Sequence, residues 1–476
     1  MPTAAIRAAR STWAWAALGF AGSFAVALAG PRLAGGPVEW WFDPSLGGGV
    51  AVFYAGVMAL SIAWLALRGL AVTTRQLRIV GAAWCLPLLV PAPLFSQDAY
   101  SYLAQGTLVH LGIDPYRHAP AVLAQAGQAH VLGAVDPFWR HTTAPYGPLF
   151  LWIVSGIVAL TGSHLVLGVL LIRLLDVAGL VLLAVFAPRL ARALGADPAR
   201  ATWWVLLSPL VLLELVAAGH NDLLMIGSVV AGVAFAIERR VLLGVALCAL
   251  AATIKLPAAG AIVFIAVMWA RDAAPASARA RRLVACAAIA AGVVLAVSVV
   301  TGLGLGWIST TVFSTPEEVR LAITPATALG WTVAQVVPVG ARGLESALGL
   351  VAFGLSCVLG AVLLWRTRRH NMVRNLGLAL IAVAVCGPAA WPWYLTWGLV
   401  LLAACPGIQD SRALVWVVLA SVLVVKASGT LAFPLTTAPM FVVLYLAAAA
   451  VWAVRTRKRP AVPSRRRVRT RALVGS

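Results

Sequence analysis

Charge is scarce in this sequence. Only 11% of its 476 residues are Asp, Glu, Lys or Arg, against about 25% in soluble domains, while 62% are hydrophobic and the mean hydropathy is +0.94. A water-soluble enzyme is excluded. A disordered chain is excluded too, because disorder pairs high charge with low hydrophobicity. Acidic residues are scarcer still, 15 against 36 basic ones. In a soluble domain that excess would suggest nucleic acid, but here the placement of the basic residues matters more than their number. The cysteines, Cys85, Cys248, Cys286, Cys357, Cys386 and Cys405, form no CxxC pair and fall in or beside apolar stretches, so neither a disulfide framework nor a zinc site is indicated. No glycine-rich phosphate loop follows a strand pattern, which argues against ATP hydrolysis.

What the sequence does have is a long series of apolar runs. A bilayer-crossing helix needs about 20 apolar residues, and runs near 13–29, 49–67, 79–95, 164–187, 201–218, 222–237, 241–254, 257–270, 283–302, 344–365, 375–390, 393–405, 413–429 and 439–454 qualify, some of them short. The expected fold is an all-α polytopic membrane protein, a single domain over residues 1–476 with about 13–14 transmembrane helices. Assigning alternate connections to alternate sides puts Arg32, Arg117, Arg140, Arg320 and Arg342 on one side and Arg173, Lys255 and Lys426 inside spans; the other 28 basic residues share the second side. By the positive-inside rule that second side is cytoplasmic, with both termini inside. Residues 147–161 are apolar and helical in pattern, yet counting them as a span would invert the later charges, so they are expected to lie at the outer interface. Arg7 and Arg10 before an apolar run ending Ala27-Leu28-Ala29 also resemble a cleavable signal segment. The basic tail, residues 455–476, reads as a cytoplasmic stop signal touching anionic lipid heads. The bilayer is the expected partner and nucleic acid is not.

Polar residues are costly near a bilayer, so an external segment dense in them is the first place to look for function. Residues 96–147 form such a loop. They include Asp98, Tyr100, Tyr102, Tyr116, Arg140, His141 and Tyr146. Asp98 directly follows the run ending Pro93-Leu94-Phe95, which would present its carboxylate at the membrane surface as a general base for a lipid-borne substrate; the competing reading is a helix cap. Three more clusters fall at outer ends of spans. Gly219-His220-Asn221-Asp222 suits hydroxyl or phosphate-sugar binding, or a plain turn. Lys255, before Pro257, suits a phosphate oxygen, or snorkels to the interface. Trp391-Pro392-Trp393-Tyr394 with Trp397 suits sugar stacking, or an aromatic belt. Within a span, Arg173 and Asp176 are three residues apart and are expected to pair with each other. No helical His pair at i, i+4 and no second acid beside Asp98 support a metal site, so no cofactor is expected.

The run Asp98-x-Tyr100-x-Tyr102, then Gly112-x-Asp114-Pro115-Tyr116, Ala144-Pro145-Tyr146-Gly147-Pro148, Gly219-His220-Asn221-Asp222 and Pro392-Trp393-Tyr394 resembles the polyprenyl-phosphomannose-dependent α-1,6-mannosyltransferases of actinobacteria. These belong to the GT-C superfamily of multi-spanning glycosyltransferases. The resemblance covers nearly the whole chain. It implies a polyprenyl-phosphate mannose donor, a glycolipid or mannan acceptor of the lipomannan type, and inversion at the outer face. It also implies Asp98 as base, an interfacial helix at 147–161, His220, Asn221 and Asp222 on sugar hydroxyls, and Lys255 with Arg140 on the donor phosphate. Tyr100, Tyr102, Tyr116, His141, Tyr146, Trp393 and Tyr394 become substrate-binding candidates. Two departures stand out. Relatives in the superfamily often pair two acids at the catalytic position, whereas Asp98 stands between Gln97 and Ala99, and no carbohydrate-binding domain follows the last run. Arabinose or glucose donors would use the same carboxylate and phosphate logic. A transporter would instead place its ionisable residues near the midplane.

Overall fold

The computed structural model describes residues 2–40, 49–162, 164–311, 324–337, 340–387, 391–433 and 435–457. Most of the basic tail, 458–476, lies outside the described residues, as do Arg320 and the acidic residues Asp43, Glu317 and Glu318. Among the described residues the regular elements are helical, beside one isolated β-bridge between Val425 and Leu431. In chain order they are α1 (Pro2–Ala34), α2 (Gly49–Arg68), α3 (Thr74–Cys85), α4 (Asp98–His110), α5 (Ala129–Ala134), α6 (Pro148–Thr161), α7 (Leu165–Ala193), α8 (Pro198–Leu206), α9 (Pro209–Val211) and α10 (Asp222–Ile237). There follow α11 (Val241–Ala252), α12 (Ala259–Arg271), α13 (Ala276–Thr301), α14 (Gly306–Ser309), α15 (Pro325–Ala334), α16 (Ala341–Trp365), α17 (Met372–Cys386), α18 (Thr396–Leu402), α19 (Arg412–Ser421) and α20 (Ala438–Arg457). Six helical stretches are long and apolar enough to cross a membrane, and eight shorter apolar helices accompany them. The chain is an all-α polytopic membrane protein.

Several expectations change in the structure. The run 79–95 is not one helix: α3 ends at Cys85, a 3-10 turn covers Leu86–Leu89, and the chain then runs without regular structure to Gln97. Pro87, Pro91 and Pro93 explain the break, since proline cannot donate to a helix and pushes its predecessor out of the α region. The span 413–429 is also cut short, because α19 stops at Ser421 and the chain reverses through Gly429 at φ +82°. Lys426 therefore sits exposed in a turn, not in a span. The segment 96–147 carries α4, α5 and short 3-10 turns, with Arg117, His118 and His141 among its exposed residues. Residues 99–108 of α4 are all buried, and α4 packs against α6 and α7.

Arg173 and Asp176 do not pair by hydrogen bond. Arg173 donates to the carbonyls of Leu89, Pro91 and Ala217, which the broken backbone at 86–91 and the π-helical stretch Leu212–Ala217 leave without helical partners. Asp176 keeps both carboxylate oxygens free of hydrogen bonds among the described residues.

Small residues set the helix spacing that carries the site. A Cβ on Gly179 of α7 would lie 2.3 Å from the Leu223 carbonyl, and one on Gly227 of α10 would lie 2.5 Å from the Gly179 carbonyl. Only glycine allows these two backbones to touch, a close approach common between membrane helices. The contact fixes the height of Asp222 at the start of α10. From there α10 descends to Ile237, α11 returns to Ala252, and α12 descends again from Ala259 to Arg271. The lower ends meet in Arg-rich contacts: Arg189 pairs with Glu238, Arg200 with Asp410 at 3.8 Å, and Arg369 with Asp272 at 3.6 Å. The upper ends carry the candidate residues.

Candidate active site

Asp98 opens α4, where the unpaired amides of the first turn favour a negative charge. Its side chain makes no capping bond, since Gln97 holds the cap position without one, so the carboxylate is available for other work. Its own N–H donates to Ser96 Oγ at 3.1 Å. The side chain is 16% exposed. Burial pushes its pKa above the usual carboxylate range, against the opposing pull of His220, Lys255 and Ser96, with Asp222 adding to the rise.

His220 reaches Asp98 through a turn that glycine makes possible. Gly219 adopts φ +77°, a left-handed conformation that costs a side-chain-bearing residue, and this turns the chain from the π-helical stretch Leu212–Ala217 into α10. The ring then lies with Nδ1 2.6 Å from the carbonyl of Glu214 and Nε2 3.6 Å from Asp98 Oδ2. A carbonyl only accepts, so Nδ1 carries the hydrogen and Nε2 of the neutral ring presents its lone pair toward the carboxylate. Burial lowers the His220 pKa and keeps the ring neutral, with Asp98 and Asp222 acting in the opposite sense.

Asp222 and Lys255 form the second half. Asp222 is fully buried; its Oδ2 lies 2.7 Å from Lys255 Nζ, and its Oδ1 accepts from Trp397 Nε1 at 2.6 Å. Lys255 sits after the end of α11 in extended backbone, before the 3-10 turn Leu256–Ala258. Its ammonium lies 4.8 Å from the Tyr394 ring centroid and 5.8 Å from those of Tyr146 and Trp397, an aromatic surround that attracts a cation. Of three ammonium donors one is taken by Asp222. Trp393 packs on His220 at 4.2 Å between centroids, Trp391 stacks on Trp393 at 4.8 Å, and Tyr394 stacks on Trp397 at 4.3 Å. Tyr102 meets the edge of Tyr146 at 4.9 Å. The structure thus joins residues from five separate places in the sequence, around 98, 146, 220, 255 and 393.

The Tyr146 segment is tied to Lys255 by backbone. Gly147 N–H donates to the Ile254 carbonyl at 3.0 Å and Leu149 N–H to that of Thr253 at 3.1 Å. A Cβ on Gly147 would lie 2.1 Å from the Thr253 carbonyl oxygen. Gly147→Ala is therefore expected to force these strands of chain apart, lowering stability by about 1–3 kcal/mol as overpacking does and reducing activity with it. Thermal unfolding of the detergent-solubilised variant measures the first effect; an unchanged midpoint would contradict this packing.

Other candidates lie elsewhere. Tyr116 supports the site indirectly, donating from its hydroxyl to the Tyr146 carbonyl at 3.1 Å. Tyr100 is buried where the charge of Arg173 acts on it, on the side of α4 roughly opposite Tyr102. Asn221 is buried, its side chain without a hydrogen bond among the described residues. Arg140 donates to the carbonyls of Val135 and Gly133 within its own loop, and neither it nor the exposed His141 makes a hydrogen bond or ion pair with the cluster among the described residues. Trp397, which belongs to the same outer-end aromatic cluster in the sequence, ties that cluster to the buried pair through its bond to Asp222.

Comparison with known proteins shows what the chain is similar to. Residues 12–271 match the family model described as "Alpha-(1->6)-mannopyranosyltransferase, N-terminal domain", and residues 319–457 match "MptB C-terminal domain". Asp98, His220, Asp222 and Lys255 come from the first stretch, Trp393 and Trp397 from the second. The chain is 33% identical over 443 residues to Alpha-(1->6)-mannopyranosyltransferase A of Mycobacterium tuberculosis, covering 84% of this chain and 81% of that one. It is 34% identical over 394 residues to a probable alpha-(1->6)-mannopyranosyltransferase of Mycolicibacterium smegmatis, covering 73% and 69%. To Alpha-(1->6)-mannopyranosyltransferase B of Corynebacterium glutamicum it is 27% identical over 366 residues, covering 71% and 60%. No solved structure matches. The match to both family models, with a relative 33% identical across 84% of this chain, places it in the alpha-(1->6)-mannopyranosyltransferase family of glycosyltransferases.

Proposed function

We propose that this enzyme moves mannose from a polyprenyl-phosphate mannose donor onto an α-1,6-mannan or lipomannan acceptor at the extracytoplasmic face, with inversion. The observation that carries the reading is the 3.6 Å approach of His220 Nε2 to Asp98 Oδ2, in a cluster that also holds the Lys255 ammonium. Asp98 takes the proton of the acceptor hydroxyl. The acceptor oxygen then attacks C1 of the sugar from the face opposite the phosphate; the C1–O bond breaks, and its electron pair leaves with the polyprenyl phosphate. From a β-linked donor the product is α-linked. Lys255, whose charge Asp222 already balances at 2.7 Å, offers a remaining N–H to the phosphate oxygen. We assign that role to Lys255 alone, since Arg140 donates to carbonyls of its own loop.

Trp393 and Tyr394 form the sugar-stacking floor, and Tyr146 with Tyr102 walls it on the side of α4. GT-C architecture and an interfacial role for α6 follow the same reading. Both termini and the Arg-rich ends are assigned to the cytoplasm by the positive-inside rule.

The test is transfer from radiolabelled polyprenyl-phosphate mannose, arabinose or glucose to a short α-1,6-mannoside in membranes expressing the protein. Incorporation from the mannose donor, released by an α-1,6-mannosidase, is expected. Incorporation only from another polyprenyl-phosphate sugar would overturn the mannose assignment and leave the chemistry standing.

A pH dependence follows from the burial of Asp98. The carboxylate must be ionised to accept a proton, and its pKa is raised. Activity is therefore expected to fall on acidification at a pH above the ordinary carboxylate range near 4. A kcat/KM profile that stays flat down to that range would contradict the assignment.

A further inference from the structure

The search for unassigned chemistry leads to the end of the bundle opposite Asp98. Between the end of α12, the start of α13 and the connection from α16 to α17 lies a cleft of about 550 Å³ lined by Arg271, Arg279, Trp365, Arg366, Arg368 and His370 with Asn371. Three other arginines at this end answer a carboxylate, Arg189 with Glu238, Arg200 with Asp410 and Arg369 with Asp272, while Arg78 and Arg282 donate to backbone carbonyls. The four arginines of the cleft have no carboxylate partner among the described residues. Three of them are partly occupied in holding the walls. Arg271 donates to the carbonyls of Trp365 and Thr367, Arg279 to those of Ala273 and Ala274, and Arg368 through one nitrogen to that of Thr367. The side chains of Arg366 and Arg368 project exposed at the rim, and the charge of Arg368 acts repulsively on Arg271. Four like charges gathered in one concavity without an acid form a site for an anion.

The surroundings say which kind. Leu355, Val358, Leu359 and Val362 follow at helical spacing along α16, all exposed, and end at Trp365, which is 71% exposed. The stretch Gly343–Trp365 is long and apolar enough to cross a membrane and only 6% of its window is buried. An unburied apolar face therefore runs straight into the cationic cleft, with a tryptophan at the junction where such rings favour the headgroup level. A soluble phosphate would use the arginines and leave this face unexplained.

We propose that the cleft binds the phosphate of an anionic phospholipid, with the acyl chains lying along the exposed face of α16. Arg366 and Arg368 supply the mobile cationic contacts, Arg271 and Arg279 the fixed ones. The proposal is independent of the transfer chemistry at Asp98.

The experiment uses the full chain in detergent and titrates it with dioleoyl phosphatidylglycerol, dioleoyl phosphatidylcholine or sn-glycerol 3-phosphate, following bound lipid by native mass spectrometry. Phosphatidylglycerol is expected to bind at least tenfold more tightly than phosphatidylcholine. Arg366→Gln with Arg368→Gln is expected to weaken it about tenfold, as loss of basic residues at an anionic surface does. Arg281→Gln, an exposed arginine of α13 outside the cleft, should leave binding unchanged. Equal binding of both lipids, or equal loss in the Arg281 variant, would overturn the site. Competition by glycerol phosphate at the concentration of the lipid would show a soluble anion and overturn the lipid assignment. An unchanged thermal midpoint in phosphatidylcholine confirms that the double variant is folded.

Discussion

Asp98→Asn is expected to lower kcat for mannosyl transfer by about 10²–10⁴-fold, the usual worth of a positioned general base. The amide has nearly the shape of the carboxylate, and Asp98 makes no capping bond that the change would remove. Helix α4 should therefore form as before, and protein level and thermal midpoint should match wild type. The loss should appear in kcat, with KM for the donor little changed, because the proton is taken up only as the new bond forms. Asp98→Glu should recover part of the rate, limited by the extra methylene beside His220 Nε2, which stands 3.6 Å from the carboxylate. A fully active Asp98→Asn enzyme would remove Asp98 from the chemistry.

Breaking the Lys255–Asp222 pair is expected to have the largest effect on stability. Asp222 is fully buried and the side chain of Lys255 is 11% exposed. Removing one partner leaves the other as an uncompensated charge in a low-dielectric interior, which costs about 3–5 kcal/mol. Asp222→Ala also strands the indole N–H of Trp397, whose partner is Asp222 Oδ1 at 2.6 Å, so it should be the worse of the two single changes. Lys255→Met leaves Asp222 with the indole alone. The double variant Asp222→Asn/Lys255→Met removes both charges and keeps an acceptor for Trp397. Its thermal midpoint should recover more than half of the loss, since a buried pair replaced as a unit is often near neutral. Transfer should not recover with it, because the ammonium proposed for the donor phosphate is gone. Additive losses in the double variant would mean that the two side chains act independently.

Sequence and structure agree wherever the governing quantity is local. Hydropathy alone identifies a polytopic helical protein, because each span must satisfy its own backbone bonds in lipid. The candidate residues were legible for the same reason: Asp98, His220, Asp222, Lys255 and Trp393 are polar or amphipathic groups at the ends of apolar runs, where such groups are costly without a purpose. The breaks were harder. Pro91 and Pro93 sit inside a run whose hydropathy favours a span, and only their backbone chemistry ends the helix there. The turn that exposes Lys426 is signalled only by Ser428-Gly429 at the end of its apolar run.

What the tertiary structure decided is partnership. An isolated stretch reads Asp222 and Lys255 as two separate substrate contacts; packing α10 against the end of α11 makes them one buried pair, since neither charge could be desolvated alone. In the same way Arg173, three residues from Asp176 and expected to bond it, turns to three backbone carbonyls where the helices break. The sequence by itself determined the membrane class, the family and which residues are chemically unusual, because these depend on composition and local order. The tertiary structure decided which of those residues face one another, because hydrogen bonds and ion pairs are chosen among groups that only the fold brings within reach.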